Sequence, residues 1–203
     1  MTDTRIMLAS GALFDFLEPE GSDFTLQDIA HGLGQVCRFA GHTNRFYSVA
    51  EHCVFVARLV PVEHARAALL HDASVAFIGD VTRPLKALLP DYRAIEARID
   101  AAIAARFLSP AEHARGGVAA PEIKRADAAM CQAEAYHLMP DTDRFWANQR
   151  AEIDPEIWAK AKATRLSYDR PEYATQSWLR AWNRYGHWLD DLARNEHERA
   201  ATE

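Results

Sequence analysis

Apolar side chains recur at helical spacing over most of the chain, and a strand-like pattern is confined to its beginning. Ile95, Ile99 and Ile103 repeat every four residues within 91–107, which places them on one face of an amphipathic helix. The segment 13–16 reads Leu-Phe-Asp-Phe before a proline and a glycine, which predicts a short hairpin or an extended arm. We therefore predict an all-α fold, a single helical bundle of roughly seven or eight helices behind a short N-terminal arm or hairpin.

Capping signals and prolines mark where the helices begin and end. Thr25 with Asp28, and Ser48 with Glu51, have the spacing of a capping box, and Pro61 ends the second of these helices. Further helices are predicted at 62–73, 91–107, 121–139, 155–166 and 171–193. The chain then divides into an arm (1–24), a helical domain (25–194) and a polar tail expected to fray (195–203).

Several ionisable side chains lie on faces that are otherwise apolar. His52 shares the inward face of its predicted helix, His71 and Asp72 close a run of small apolar residues, and Asp127 and Glu134 lie on an apolar stripe. Charged groups are almost never fully buried unless they are paired or bind a metal. Imidazoles and carboxylates together suit Mn²⁺, Co²⁺, Fe²⁺ or Zn²⁺. Each residue taken singly is more often a hydrogen-bonded core histidine, a helix cap or an ion-pair partner.

The overall composition narrows the classes of partner. A formal net charge of -6 and a pI near 5.8 argue against nucleic acid, and no segment has the length of a membrane span or the pattern of a signal peptide, so we expect a cytoplasmic protein. The three cysteines have no C-x-x-C spacing, which disfavours a disulfide framework and a thiolate zinc site. The tryptophans near the C-terminus favour core packing or a subunit contact over a cofactor site.

The ordered pattern H…HD…D resembles the HD superfamily of metal-dependent phosphohydrolases, in particular the small bacterial and phage 5′-deoxynucleotidases and deoxynucleoside triphosphate hydrolases. The resemblance runs over 23–139. It includes the blocks Arg38-Phe, Gly41-His-Thr, Tyr47-Ser-Val-Ala-Glu-His52, Gly79-Asp80…Pro84-Leu-Lys86 and Lys124-Arg-Ala-Asp127. It implies an HD-type helical domain, a nucleotide substrate and a homo-oligomer.

Carried over to this chain, the resemblance implies one divalent ion, Mn, Co, Mg, Fe or Zn. Its ligands would be His52, His71, Asp72 and Asp127, with positions left for water and a phosphate oxygen. A cation placed there acidifies its water and neutralises charge on the phosphoryl group, which is the chemistry that phosphate hydrolysis needs.

The resemblance also assigns substrate and catalytic roles. Arg38 matches the family arginine that binds phosphate at the mouth of the site, and Asp80 matches an aspartate suited to general acid or base work. Lys86 and His42 are candidates for substrate contact, and Lys124 for support of the site. The alternatives are a surface arginine, a solvated lysine and an aspartate that caps the following helix.

One position departs from the family pattern. The related nucleotidases carry a glutamate three residues after the HD pair, and here that position is Val75, which cannot exchange a proton. The loss of a general acid or base costs about 10²–10⁴-fold in rate, so hydrolysis could be weak or depend on Asp80. The alternatives are a non-catalytic nucleotide- or metal-binding module, a small (p)ppGpp hydrolase, and a purely structural helical protein.

Overall fold

The predicted all-α fold with an N-terminal hairpin is confirmed, but the described residues form eleven α-helices and not seven or eight, because four of them are only four or five residues long. The computed structural model describes the backbone of residues 3–140 and 142–200, and the side chains of 3–140 and 145–190. Its hairpin pairs β1 (Arg5–Met7) with β2 (Leu13–Asp15) in antiparallel register. The α-helices within these residues are α1 (Leu26–Gln35), α2 (Val49–Leu59), α3 (Ala65–Leu69), α4 (Val75–Ile78), α5 (Arg83–Lys86), α6 (Pro90–Phe107), α7 (Pro110–Ala114), α8 (Pro121–Leu138), α9 (Thr142–Ala151), α10 (Pro155–Lys162) and α11 (Pro171–Ala200).

The aromatic side chain of Phe14 packs the hairpin against the helices, and Arg98 on α6 adds hydrogen bonds to the carbonyls of Phe16 and Leu17. Phe14 is fully buried and stacks on Phe77, with ring centroids 4.0 Å apart and planes at 8°. Phe24 meets both rings edge-on at 5.4 Å. Burial of this aromatic cluster stabilises the arm, because an isolated two-stranded hairpin is marginal in water.

The centre of the bundle is α2, in which every residue from Val49 to Ala57 is buried. It packs against α3, α8 and α11, while α1 packs against α4 and α11. The approach of α1 to α4 depends on Gly32, where an added Cβ would lie 2.7 Å from the carbonyl oxygen of Ala76. A helix buried on all sides holds its polar residues away from solvent, and His52 is one of these.

The continuous helix predicted at 62–73 is wrong. A 3₁₀ turn at Val62–His64 leads into α3, and after α3 the chain forms a tight turn through residue 74. Neighbouring residues on an α-helix point about 100° apart, so the backbone of this segment sets the directions from which His71 and Asp72 approach each other. Here that backbone is a turn, in which the Ala73 N–H donates to the Leu70 carbonyl at 3.0 Å.

Two of the three tryptophans near the C-terminus pack in the core, one of the two roles predicted for them, and the third, Trp188, is half-exposed. Trp178 and Trp182 stack at 5.7 Å, and the Trp178 indole N–H donates to the Leu69 carbonyl at 3.1 Å. The α11 helix continues past residue 195 to Ala200, and 201–203 of the predicted tail lie outside the described residues. Within the described part of the chain, no helix combines the length and apolar character needed to cross a membrane.

Candidate metal centre

The four predicted ligands come together from three parts of the fold. His52 lies on α2, His71 and Asp72 on the turn after α3, and Asp127 on α8. His52 Nε2 is 3.2 Å from His71 Nε2 and 3.2 Å from Asp127 Oδ1, and His71 Nε2 is 3.4 Å from Asp72 Oδ2. Asp127 Oδ1 is also 3.9 Å from His71 Nε2. One ligand atom each from His52, His71 and Asp72 lies within 4.8 Å of the other two.

This spacing fits a divalent cation. Donors about 2.0–2.2 Å from a common ion lie roughly 3.0–3.4 Å apart at neighbouring coordination positions. The three shortest separations, 3.2, 3.2 and 3.4 Å, match this range, while His52 Nε2 to Asp72 Oδ2 at 3.7 Å and His71 Nε2 to Asp127 Oδ1 at 3.9 Å are longer. Two imidazole nitrogens and two carboxylate oxygens are ligands that first-row divalent metals accept. His52 has no exposed surface, whereas the Asp72 and Asp127 side chains are 31% and 25% exposed. The cluster is therefore sealed on the imidazole side and open to solvent on the carboxylate side.

The turn after α3 orients the second imidazole. The Ala68 carbonyl lies 2.7 Å from His71 Nδ1, and because a carbonyl can only accept, Nδ1 carries the hydrogen. In the neutral ring the lone pair is then on Nε2, the atom that faces the other ligands. A backbone acceptor of this kind is a common device for orienting a metal-binding histidine.

Charge attraction within the cluster is strong. Burial alone lowers the pKa of His71, but the Asp72 carboxylate acting together with Cys53 and Asp127 outweighs it and raises that pKa well above its usual value. Burial likewise raises the pKa of Asp127, yet hydrogen bonds from His52 and His71 bring it well below its usual value. Protons and a cation would therefore compete for the same atoms, and acid pH would oppose the binding of a cation there.

Arg38 lies beside the cluster and is buried, with 8% of its surface exposed. Its Nη1 is 3.4 Å from Asp72 Oδ2, and its Nε is 2.9 Å from Glu134 Oε2. Burial alone lowers its pKa, but the acidic groups around it, of which Glu134 contributes most, together outweigh this and raise that pKa well above the usual value, so the charge is permanent. The alternative of an exposed surface arginine is wrong, since the side chain is enclosed by its acidic partners.

Glu134 is a site residue that sequence reasoning did not assign. It has no exposed surface, and its Oε1 is 2.7 Å from His52 Nδ1 and 2.8 Å from the donating Tyr47 hydroxyl. Its position on the inward stripe of α8, seven residues after Asp127, predicted a second buried carboxylate. The sequence did not predict which groups this carboxylate contacts.

Asp80 is half-buried at the edge of the site. Burial raises the pKa of its carboxyl group, and the positive charge of Arg38 offsets only part of that rise. The helix that follows begins at Arg83 with Thr82 as its N-cap, so the alternative in which Asp80 caps that helix is wrong. A carboxyl whose pKa is moved toward neutrality suits proton exchange.

No contact joins the other predicted substrate-binding residues, Lys86 and His42, to the four predicted ligands among the described hydrogen bonds and ion pairs. Lys86 Nζ is held by Glu96 Oε1 at 2.6 Å, and the His42 side chain is exposed on the loop before α2. Lys124 is also exposed. A second arginine, which the sequence reasoning missed, lies on the open side: Arg83 Nη2 is 3.7 Å from Asp127 Oδ2 with 82% of its side chain exposed.

Val75 begins α4 and belongs to the apolar core, with 3% of its surface exposed. No proton-exchanging group enters the site from this position. Of the two groups considered for acid or base work, the family glutamate and Asp80, only Asp80 is present in this chain.

Asp100, on α6, supports a prediction about stability and pH. Its Oδ1 is buried without a hydrogen bond, and burial raises its pKa from 3.8 to about 6. An acid with a raised folded-state pKa destabilises the fold as pH rises from about 4 to 6, by at most about 3 kcal/mol. We expect Asp100→Asn to match the native chain in urea unfolding near pH 4 and to exceed its stability at pH 8. An equal difference at both pH values would contradict this.

Comparison with known proteins identifies relatives without a described activity. No family model matches the sequence. The uncharacterized protein YfdR of Escherichia coli K12 is 42% identical over 137 residues, which cover 68% of this chain and 74% of YfdR. An uncharacterized protein of Rhodobacter capsulatus is 39% identical over 144 residues, covering 64% of this chain and 71% of that protein.

Proposed function

The chain belongs to the same family as YfdR, and for this member we propose a metal-dependent phosphohydrolase that releases phosphate from nucleotides, with deoxynucleotides as the first candidates. The observation that carries the proposal is the meeting of His52, His71, Asp72 and Asp127 beside a buried arginine. The two carboxylates repel each other, Arg38 and Arg83 offset part of that repulsion at 3.4 and 3.7 Å, and a divalent cation between the carboxylates would add to that balance.

The chain's own groups divide the work of hydrolysis. When bound, the cation would supply an acidified water and neutralise charge that develops on the phosphoryl group. Arg38, with its permanent charge and planar fork, would hold the phosphate in a bidentate contact. Asp80 would exchange the proton that hydrolysis moves between water and the leaving oxygen. Arg83, on the open side, adds positive charge where an anion would enter.

A non-catalytic nucleotide- or metal-binding module is the second candidate, and the core position of Val75 favours it. Without a proton-exchanging group at that position, the same cluster could bind a nucleotide and turn it over negligibly. The two candidates share their ligands and differ in product formation. A small (p)ppGpp hydrolase is a third variant of the same site.

The test is a screen of nucleoside mono-, di- and triphosphates and ppGpp against Mn²⁺, Co²⁺, Mg²⁺ and Zn²⁺, with product identification. We expect phosphate or polyphosphate release from a deoxynucleotide that depends on the cation and stops on chelation. Tight nucleotide binding by calorimetry without product would favour the binding module. No bound metal, with unchanged thermal unfolding after chelation, would contradict both and favour a structural role for the cluster.

We further propose that the protein works in the cytoplasm as a homo-oligomer. Trp188 is half-exposed on α11, beyond the two core tryptophans, which makes this helix a candidate for the subunit contact. Light scattering of the purified chain should give more than one protomer per particle. A single protomer at micromolar concentration would contradict the homo-oligomer.

A further inference from the structure

The environment of Glu134 is unusual for a carboxylate, because no part of it reaches solvent. Burial of an uncompensated charge costs several kcal/mol, so the fold must provide partners for it. Three provide them: the Tyr47 hydroxyl at 2.8 Å, His52 Nδ1 at 2.7 Å and Arg38 Nε at 2.9 Å. Two of these partners belong to the proposed site, and neither is close to Glu134 in sequence.

The contact with His52 decides which nitrogen of that ring is free. A carboxylate only accepts hydrogen bonds, so a ring nitrogen 2.7 Å from it carries the hydrogen. His52 therefore keeps a hydrogen on Nδ1, and Nε2 is the ring nitrogen left to bind a cation once the hydrogen that it shares with Asp127 is displaced. Nε2 is the atom that faces His71 Nε2 and Asp127 Oδ1, each at 3.2 Å.

The contact with Arg38 directs the guanidinium group. Glu134 Oε2 and Arg38 Nε are 2.9 Å apart, but neither atom has regular hydrogen-bond geometry, so this is an ion pair rather than a tight bidentate bond. The outer nitrogen Nη1 donates to Asp72 Oδ2 at 3.4 Å. The guanidinium is thus anchored at Nε and presents an outer edge to the cluster.

We propose that Glu134 is the positioning residue of this site: it sets the tautomer of His52 for metal binding and aims Arg38 at the phosphate position. This inference rests on the proposed function. It assigns one buried carboxylate to the support of both the cation and the anion sites, so that its loss weakens both. Outer carboxylates that orient metal-binding histidines contribute about 10–100-fold to metal affinity.

The experiment uses Glu134→Gln, which keeps the shape and removes the charge. Its amide can donate to His52 Nδ1 and so allow the hydrogen to move to Nε2. We expect Mn²⁺ affinity, measured by calorimetry, to fall about 10–100-fold. At Mn²⁺ concentrations that saturate each protein, the affinity for inorganic phosphate should fall as well. Tyr47→Phe is the matched control: it removes one hydrogen bond to the same carboxylate but leaves the acceptor on His52, and should keep nearly native Mn²⁺ affinity.

The tautomer of His52 gives a readout that depends on neither a variant nor a metal. Nitrogen NMR shifts of the metal-free native chain, recorded at a pH where the His52 ring is neutral, should place its single hydrogen on Nδ1. A neutral ring with that hydrogen on Nε2, or native Mn²⁺ affinity in Glu134→Gln, would overturn the inference. If the native chain binds no metal, the proposed function fails, while the NMR result still decides whether Glu134 sets the tautomer.

Discussion

Asp127→Asn is expected to lower Mn²⁺ affinity by at least about 100-fold, more than the loss of a supporting residue, because it removes a ligand charge from the cluster itself. Asparagine keeps the size of the side chain but not the negative oxygen that lies 3.2 Å from His52 Nε2. The variant would have a single ligand carboxylate, Asp72, to balance the charge of a divalent ion. Metal-dependent phosphate release at micromolar Mn²⁺ should be lost with it.

Calorimetry and urea unfolding both measure this effect. For the native chain, Mn²⁺ at 100 times its dissociation constant should raise the free energy of unfolding by about 2.7 kcal/mol, and the same concentration should leave Asp127→Asn almost unchanged. Asp91→Asn, an identical change at an exposed position of α6, is the control and should behave as the native chain. Native affinity in Asp127→Asn would remove this residue from the ligand set.

Asp80→Asn is expected to reduce turnover by about 10²–10⁴-fold while Mn²⁺ affinity stays close to native. The reason is a division of roles: Asp80 is half-buried with a raised pKa, next to the cluster and outside the four groups that converge. Because Val75 brings no acid or base into the site, the chain has no substitute at that position. The measurement is product release at saturating Mn²⁺ and substrate.

The same Asp91→Asn control separates this effect from a general change in charge. A loss of less than tenfold would contradict proton exchange by Asp80, and a parallel loss of Mn²⁺ affinity would make it a ligand or a support for one. Together with the Asp127 and Glu134 variants, the result distinguishes three roles. A ligand affects binding of the metal most, a positioning residue affects binding of metal and phosphate, and an acid or base affects turnover alone.

Local signals in the sequence were enough to predict the elements that carry the site. The capping boxes Thr25–Asp28 and Ser48–Glu51 are both present, and α6 and α8 begin and end within a residue of their predicted bounds. These features depend on interactions within one or two helical turns, so the chain specifies them without reference to distant residues. The same holds for the inward direction of His52, which follows from its place in a helical repeat.

The partners of the inward residues were decided only by the tertiary structure. Periodicity indicates that a side chain is buried and says nothing of what it meets. Glu134 meets Tyr47 and His52, which are 87 and 82 positions away, because α8 packs across α2. Helix packing also decided the partner of Lys86. Because α5 packs against α6, Lys86 forms an ion pair with Glu96 and is not left unpaired to bind a phosphate.

The turn at His71 and Asp72 shows where the local sequence pattern and the tertiary structure disagree. Composition favours a continuous helix through this segment, yet the helix stops at Leu69 and the turn brings both side chains to one point. A local preference of a few tenths of a kcal/mol per residue is small beside the interactions available to the converged histidines and carboxylates. The sequence therefore determined the helices and the chemistry they carry, and the packing of distant helices determined which of those groups face one another.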